Sequence, residues 1–522
     1  MGGYFPVMLR RLAPAAALLV LVVVPLRAQL GLITIPRGSL RVDLSGAFYP
    51  NEEVWVDGAK RPLGSFVDGT ANPTIAALQG SLAALLGQSV SGLSLGGITA
   101  IAAREHGIGD IGLAFGLTSR ITIFGTIPIV YTRSRIKATL DGSTSRVGIN
   151  PANAKLGTAT GPGQASTFFS EFDIALDTLK FRVQHTFYSG TTAALAQQTL
   201  TSATAMRNAL NTLLVDPLYA SAVLPTASDP YTTQLLANIT ALQATMSGPL
   251  TLPQFDVVPE FPAATLTSSD LDRLLNEPTA LGLSSPNNLP HYGIGDMSAG
   301  IAVELLRRGA PETGTWTSAW LRATGRFPNA TAPDPSILLD QGTGAKRKAL
   351  QLDGIIELGR RSAGLRAEVA YLHQFPGNTL TRPTSPDELL VPPSFLSAVT
   401  THPGDSIAIT ARPWLSFAPH LALSGMVQYW RRGASSTAYL IGQVPLPNVD
   451  PASLDVGSAA NAIVVGLGLS YFHDGRARDG TVSMPVEAGW SIERTITSGA
   501  GILPVTLTSR VYLRIYRPLL KP

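Results

Sequence analysis

From Gly107 to Tyr131 apolar residues take alternate positions in two successive runs. Ile111, Leu113, Phe115 and Leu117 share one face, and Ile121, Ile123, Ile127, Ile129 and Tyr131 continue it beyond Thr118-Ser119. Side chains of a strand alternate between its two faces, so the pattern predicts a hairpin with one wholly apolar side. The other side carries Asp110, Gly112, Ala114, Gly116, Thr122, Thr126 and Pro128. Uniform grease on one face and small or polar residues on the other is the dyad of a membrane β-barrel, apolar toward lipid and polar toward a lumen.

Runs of similar length recur to the C-terminus, at 40–49, 168–176, 180–188, 294–305, 315–327, 350–359, 365–374, 406–415, 421–430, 463–472, 484–493 and 505–516. Each is about ten residues, enough to cross a bilayer at a barrel tilt. The connections alternate in length. Short ones fall at 118–119, 177–178, 307–314, 360–364, 416–420 and 473–480, and long ones at 132–167, 189–292, 328–348, 375–405, 431–460 and 494–504. Short periplasmic turns and long extracellular loops give this asymmetry. The expectation is an all-β, antiparallel up-and-down barrel of about 14 strands, with 12 to 16 allowed.

Two segments break the period. Residues 73–88 carry Ile75, Leu78, Leu82, Leu85 and Leu86 at helical spacing. Within the long connection at 189–292, residues 195–214 and 232–246 read as two amphipathic helices between Pro217, Pro225 and Pro230. An insertion of that size is too long for an idle turn. It caps the pore, enters the lumen, or stands above the membrane without a transport role.

Composition supports a large lipid-facing surface, because charged residues make up only 14% where soluble domains carry about 25%. Arg10 and Arg11 precede an apolar stretch from Ala13 to Leu26, and Ala28 follows. That is the layout of a secretory signal peptide cleaved after Ala28, which divides the chain into a leader at 1–28 and a barrel at 29–522. The expected location is the bacterial outer membrane, reached with periplasmic chaperones and barrel-insertion machinery. The leader holds three of the Arg residues and no acid, so the formal charge of +4 leaves +1 for the remainder. Such a balance gives no nucleic-acid footprint. With 0 Cys there are neither disulfides nor thiolate metal sites.

Turning each apolar face to lipid defines an inner set. Glu171, Asp173 and Asp177 face Lys180 and Arg182 on a hairpin partner; Gln351, Asp353 and Glu357 face Arg366 and Glu368; Glu487, Ser491 and Glu493 face Arg510, Tyr512 and Arg514. Opposed charges across strands pair favourably, so the wall is polar, mixed in sign and self-neutralising. It lines a water-filled or partly plugged passage, or it forms ion-pair ladders in a sealed interior. Trp316, Trp320, Arg322 and Arg326 share one inner face. They guide aromatic solutes by stacking, or they pack against an inserted segment. Tyr131, Trp414, Tyr429, Trp430, Tyr471, Trp490 and Tyr516 lie near strand ends and are expected in interfacial aromatic belts.

Enzyme constellations are poor. The seven His are isolated, without metal-ligand spacing, and His473-Asp474-Gly475 lacks a serine nucleophile motif. No catalytic residue, metal or cofactor is assigned. Gly-Ile-Gly-Asp occurs at 107–110 and again at 293–296, followed by strands rather than by the helix of a dinucleotide loop. It reads as a repeated barrel device that turns Asp110 and Asp296 inward.

These stretches resemble an outer-membrane barrel family labelled by its link to the "MetA" pathway of phenol degradation. The resemblance rests on residues 106–113 and 292–297, on the hairpin from Phe115 to Pro128, and on Phe327-Pro-Asn-Ala, Gly342-Thr-Gly and Leu350-Gln-Leu. Asn329-Ala330 stands where the family pattern has Thr-Gly. The resemblance implies passive uptake of small solutes, aromatic or hydrophobic compounds among them. Channels of the FadL type are a more distant comparison, without an evident N-terminal hatch because residues 29–39 lead almost directly into a strand. The alternative is a structural or surface-interaction barrel whose long loops contact a partner.

Overall fold

The computed structural model describes residues 32–519 apart from 254, 278–280, 282, 284–289, 310–313, 361, 419 and 474–483. The leader expected at 1–28 lies outside the described residues, as does most of the turn after His473.

Twelve strands form one antiparallel sheet that closes on itself. They are β1 (Ser39–Asn51), β2 (Gly97–Gly116), β3 (Ile121–Asp141), β4 (Ser298–Gly309), β5 (Thr315–Arg326), β6 (Ala349–Arg360), β7 (Ala363–Gln374), β8 (Ser406–Ala418), β9 (Leu421–Arg432), β10 (Ala460–His473), β11 (Val486–Ala500) and β12 (Leu507–Pro518). Each pairs with its successor, and β12 returns to β1, with Asp43 opposite Arg514. A short thirteenth strand, His291–Ile294, lies against β3 beside β4. Closure removes every edge, which is what lets a sheet sit in hydrocarbon.

The faces follow the alternation. Ile111, Leu113, Ile123, Ile127 and Ile129 are exposed on the outside at 42 to 53%, as are Leu352, Ile409, Leu423, Leu467 and Val511 around the rest of the ring. So many large apolar side chains on an outer surface have no aqueous explanation, and the belt is the lipid-facing one. Tyr429, Tyr471 and Trp490 point outward within it. Trp414 and Tyr516 do not belong to it: both are inward and buried, 3% and 5% exposed. Strand parity also turns Trp430 inward.

Ser39 and Pro518 lie at the same end as the β2–β3 turn, because Leu40 pairs with both Phe115 and Arg517. The connections at that end are five residues or fewer, except β10–β11 with twelve. The five longest, β1–β2, β3–β4, β5–β6, β7–β8 and β9–β10, each more than 20 residues, leave from the other end, together with the six-residue β11–β12.

Twelve strands rather than fourteen come from one difference. Residues 168–176 and 180–188 are not a hairpin; 168–184 run through a single helix, α2 (Gly161–Gln184), which ends before 185–188, and no turn exists at Asp177-Thr178. Its buried positions, Phe168, Phe169, Phe172, Ala175, Leu176 and Leu179, recur at a helical period and override the alternate reading. With α1 (Pro73–Leu86), α3 (Gly190–Leu214), α4 (Pro230–Ser247) and α5 (Ser268–Asn276) it builds a small domain on the long-loop end. Its core joins Phe168, Phe172, Leu82, Leu210, Leu235 and Ile239, all fully buried, to Leu140 of β3 and to Leu338 and Leu390 of the long loops. β2 and β3, 20 and 21 residues long, project well past the roughly ten needed to span and carry this domain.

Candidate functional site

Inside the ring, at the level of the lipid belt, lies a chamber of about 630 Å³, with a second cavity of about 280 Å³ beside it. Among the residues lining the larger one, none belongs to the helical domain. The insertion thus stands on the long-loop end without filling the lumen.

The chamber floor is the segment before β1. Ile35 donates its backbone N–H to Oγ1 of Thr122 (2.9 Å), Trp320 donates its indole N–H to Oγ1 of Thr34 (3.2 Å), and Nη1 of Arg41 reaches the carbonyl of Leu32 (2.6 Å). Ile35 is 1% exposed and packs with Ala114, Tyr516, Leu32 and Phe124. Gly116 is required here, because a Cβ on it would lie 2.2 Å from the carbonyl oxygen of Pro36. A segment read as leading almost directly into a strand is therefore a seal across the short-turn end. Nearby, Trp316 and Trp414 stack at 6.4 Å over the notch left by the paired Gly359 and Gly364. Trp320 and Trp316 thus pack against an inserted segment and another indole, the second of the two readings given to that row.

The roof is loop 327–348, folded inward from the ends of β5 and β6. Asp296, at the end of the second Gly-Ile-Gly-Asp, accepts the backbone N–H of Ala330 on Oδ1 and of Lys346 on Oδ2, both at 3.1 Å, and so ties down both arms of the loop. Oγ1 of Thr343 donates to the carbonyl of Ile294 (2.9 Å), and Ser134 of β3 donates to the carbonyl of Leu339 (2.7 Å). Gly293, Gly295 and Gly344 admit this packing, since a Cβ on each would meet Thr343, Val130 or Ala330 within 3 Å. The three short motifs noticed along the sequence, Gly293-Ile-Gly-Asp, Phe327-Pro-Asn-Ala and Gly342-Thr-Gly, are the parts of this one latch.

The wall between floor and roof is charged. Arg322 of β5 bridges Asp353 of β6 (2.7 Å) and Glu368 of β7 (2.8 Å), while Arg366 meets Glu357 directly across the β6–β7 ladder (2.5 Å). At the closing seam Arg514 of β12 holds Glu487 of β11 (3.0 Å) and Asp43 of β1 (3.3 Å), and Arg510 holds Glu493 (3.0 Å). Asp353, Glu357 and Glu487 are 0 to 1% exposed. These carboxylates lie in the wall behind their arginines, and the chamber itself is lined by six arginines, by the acids Asp110, Asp296 and Glu368, and by apolar patches from Phe124, Val130, Ile355 and Leu372.

Ten of the fourteen residues named as lumen-facing are on that inner wall: Trp320, Arg322, Arg326, Asp353, Glu357, Arg366, Glu368, Glu487, Arg510 and Arg514. The other four are not. Glu171, Asp173, Lys180 and Arg182 sit on α2, outside the barrel. There Asp173 forms a bidentate pair with Arg207 of α3, Glu171 accepts the N–H of Val257, and Arg182 donates to the carbonyls of Leu250 and Thr251, while Lys180 is exposed. Glu171, Asp173 and Arg182 thus staple the helical domain to itself. Arg412, Trp414 and Tyr516 were missed as wall residues, although Ile407, Ile409, Ala411 and Pro413 on alternate positions already turned Arg412 and Trp414 inward. Among the described residues no group of three His, Cys, Asp or Glu is placed to hold a metal ion.

No family model matches the chain, so the phenol-degradation label gains no support from one, and no curated protein matches it in sequence. Among solved structures it is similar to an outer membrane channel from Pseudomonas putida F1, at 9% identity over 93% of this chain and 96% of that one, with a TM-score of 0.39. It is also similar to the P. putida toluene transporter TodX (10% identity, 92% and 90% covered, TM-score 0.28) and to a Pseudomonas aeruginosa FadL homologue (8%, 92% and 90%, TM-score 0.25). Likeness at this level carries no argument; the closed ring and its chamber rest on the strand pairings given above.

Proposed function

We propose that the chain is a passive channel of the bacterial outer membrane for small solutes, aromatic and other hydrophobic compounds among them. One observation carries the reading: the barrel interior is a roomy, polar-and-apolar chamber bounded by two thin covers, not a packed core. A scaffold needs no such space, whereas a solute path does. The sequence resemblance to a phenol-degradation family supports aromatic solutes, and the lipid-facing belt supports the outer-membrane location, which the chain would reach with a leader cleaved after Ala28. Transit then requires both the floor at 32–37 and the roof at 327–348 to move.

The test is entry of phenol and toluene into liposomes containing the full chain, alongside planar-bilayer recordings, for wild type and a deletion of residues 32–37. Solute entry that the deletion accelerates supports the channel. A correctly folded barrel that admits nothing in either form overturns it. A second reading, an adhesive barrel, is favoured by Ile174, Phe181 and Phe187, all more than half exposed on the helical domain. Removing α2–α4 with permeability unchanged and surface attachment lost would establish that reading instead.

A further inference from the structure

The two cavities share Arg366, Arg412, Arg514 and Asp110, so this cluster is their junction. Arg366 and Arg412 stand directly opposite each other in the β7–β8 ladder, both inward. Like charges so placed repel. Glu357 answers Arg366. Arg412 has no such answer: its hydrogen bond goes to Sδ of Met426 at 3.3 Å, a weak acceptor, and among the described residues no carboxylate forms an ion pair with it. Glu368 and Glu493 act on it only at longer range, and each is held by another arginine. A half-buried guanidinium without a direct ion pair, in a wall backed by lipid, is better satisfied when a ligand supplies the charge.

We propose that Arg412, with Arg366 beside it, is an anchor for the carboxylate of a small aromatic monocarboxylate. The planar fork of a guanidinium accepts a carboxylate in two parallel bonds. Ile355, opposite Glu368 on the adjoining strand, and the thioether side chain of Met426 against Arg412 provide apolar surface for a ring, which a bare inorganic anion would leave unused. The inference deepens the channel reading by giving the path a charge preference, though the binding site stands without any transit.

The experiment is equilibrium dialysis of radiolabelled benzoate and benzyl alcohol against the full chain in detergent. The proteins are wild type, Arg412→Gln and Arg412→Lys, with folding checked by heat-modifiable mobility. Wild type is expected to bind benzoate more tightly than benzyl alcohol. Arg412→Gln should weaken benzoate about tenfold or more, the loss of one charge-assisted contact, with benzyl alcohol unchanged and Arg412→Lys between. Equal binding of the two probes by wild type, or benzoate binding indifferent to Arg412→Gln, overturns the site. Displacement of benzoate by chloride at equal concentration overturns the assignment to a carboxylate with an apolar body. Should Arg412→Gln fail to fold, the wild-type comparison and Arg412→Lys decide. Benzoate binding that depends on Arg412 in a chain that passes no solute would leave this site standing and remove the channel.

Discussion

Glu487 ties the last two strands of the barrel together. It is fully buried on β11 and accepts from Nη1 of Arg514 and from the hydroxyl of Tyr516, both on β12 and both at 3.0 Å. β12 in turn pairs with β1, so these bonds sit at the seam where the ring closes. Glu487→Ala removes one charge-assisted bond, about 1.5–3 kcal/mol, and leaves a buried hydroxyl unpaired, about 1–3 kcal/mol. Arg514 keeps Asp43 and its side chain is about one-third exposed, so solvent reduces the first figure, and a total near 3 kcal/mol is expected. Glu487→Gln keeps an acceptor for one partner and should cost about half as much. Urea unfolding from lipid vesicles, followed by tryptophan fluorescence, reads both values. An alanine variant within about 0.5 kcal/mol of wild type, or a glutamine variant as costly as alanine, would refute this account of the seam.

Leu113→Arg on the lipid face should cost about 2–4 kcal/mol, seen as a lower folding yield into vesicles; an unchanged yield would put that face in water. Asp296→Ala frees both arms of the roof by orphaning two backbone N–H groups, and should raise the frequency of open events in bilayer recordings about tenfold. At the loop end of β8, Asp405 accepts from the hydroxyl of Tyr371 and from His373, which hold its carboxyl below the ordinary value near 3.8. A depressed carboxylate adds stability that is present above the unfolded value and lost as pH falls through the folded one. Proteolysis of loop 375–405 should therefore accelerate on acidification below about pH 4, and Asp405→Asn should be fast at all pH values.

The wall was legible where period two had no competitor. On β5 to β7 and on the terminal hairpin, lipid-facing residues on one parity placed Arg322, Asp353, Glu357, Arg366, Glu487 and Arg514 inward, and the pairing followed from register alone. It failed at 168–176, because Phe168, Phe172, Leu176 and Leu179 satisfy a helical spacing while Phe168, Phe172, Ile174 and Leu176 also satisfy alternation. Phe168 and Phe172 decide the matter physically: both are 0% exposed in the helical core, where a lipid-facing strand would have left them as open as Ile111 and Leu113. The floor and roof were invisible for a different reason. Both are irregular backbone held by hydrogen bonds to distant strands, 87 residues away for Ile35 and Thr122 and 286 for Thr34 and Trp320, and no periodicity encodes such partners. The short motifs Gly293-Ile-Gly-Asp, Phe327-Pro-Asn-Ala and Gly342-Thr-Gly marked the place where the roof is tied, without showing that they meet.

Which cover opens first follows from what each buries. Releasing the floor exposes Ile35, about 2 kcal/mol, and breaks three hydrogen bonds at about 1 kcal/mol each, some 5 kcal/mol in all. Releasing the roof exposes Leu338 and Leu339, 2% and 4% exposed and packed into two different clusters above the chamber, at about 2 kcal/mol each. It also breaks the two bonds to Asp296, that to Ile294 and that from Ser134, another 4 kcal/mol or so. The loop stays tethered at β5 and β6, so it recovers little entropy. Under the proposed cleavage after Ala28 the floor would be held to the sheet on one side, at Ser39, and would recover about 1 kcal/mol or more per freed residue. The floor therefore opens at least about a hundredfold more often, and the short-turn end, facing the periplasm in the proposed orientation, is the faster gate. If transit is in series, the roof limits the rate: Asp296→Ala should accelerate phenol entry in the intact chain more than deletion of 32–37 does. The reverse order in the same liposome assay would mean that solutes do not cross the roof at all.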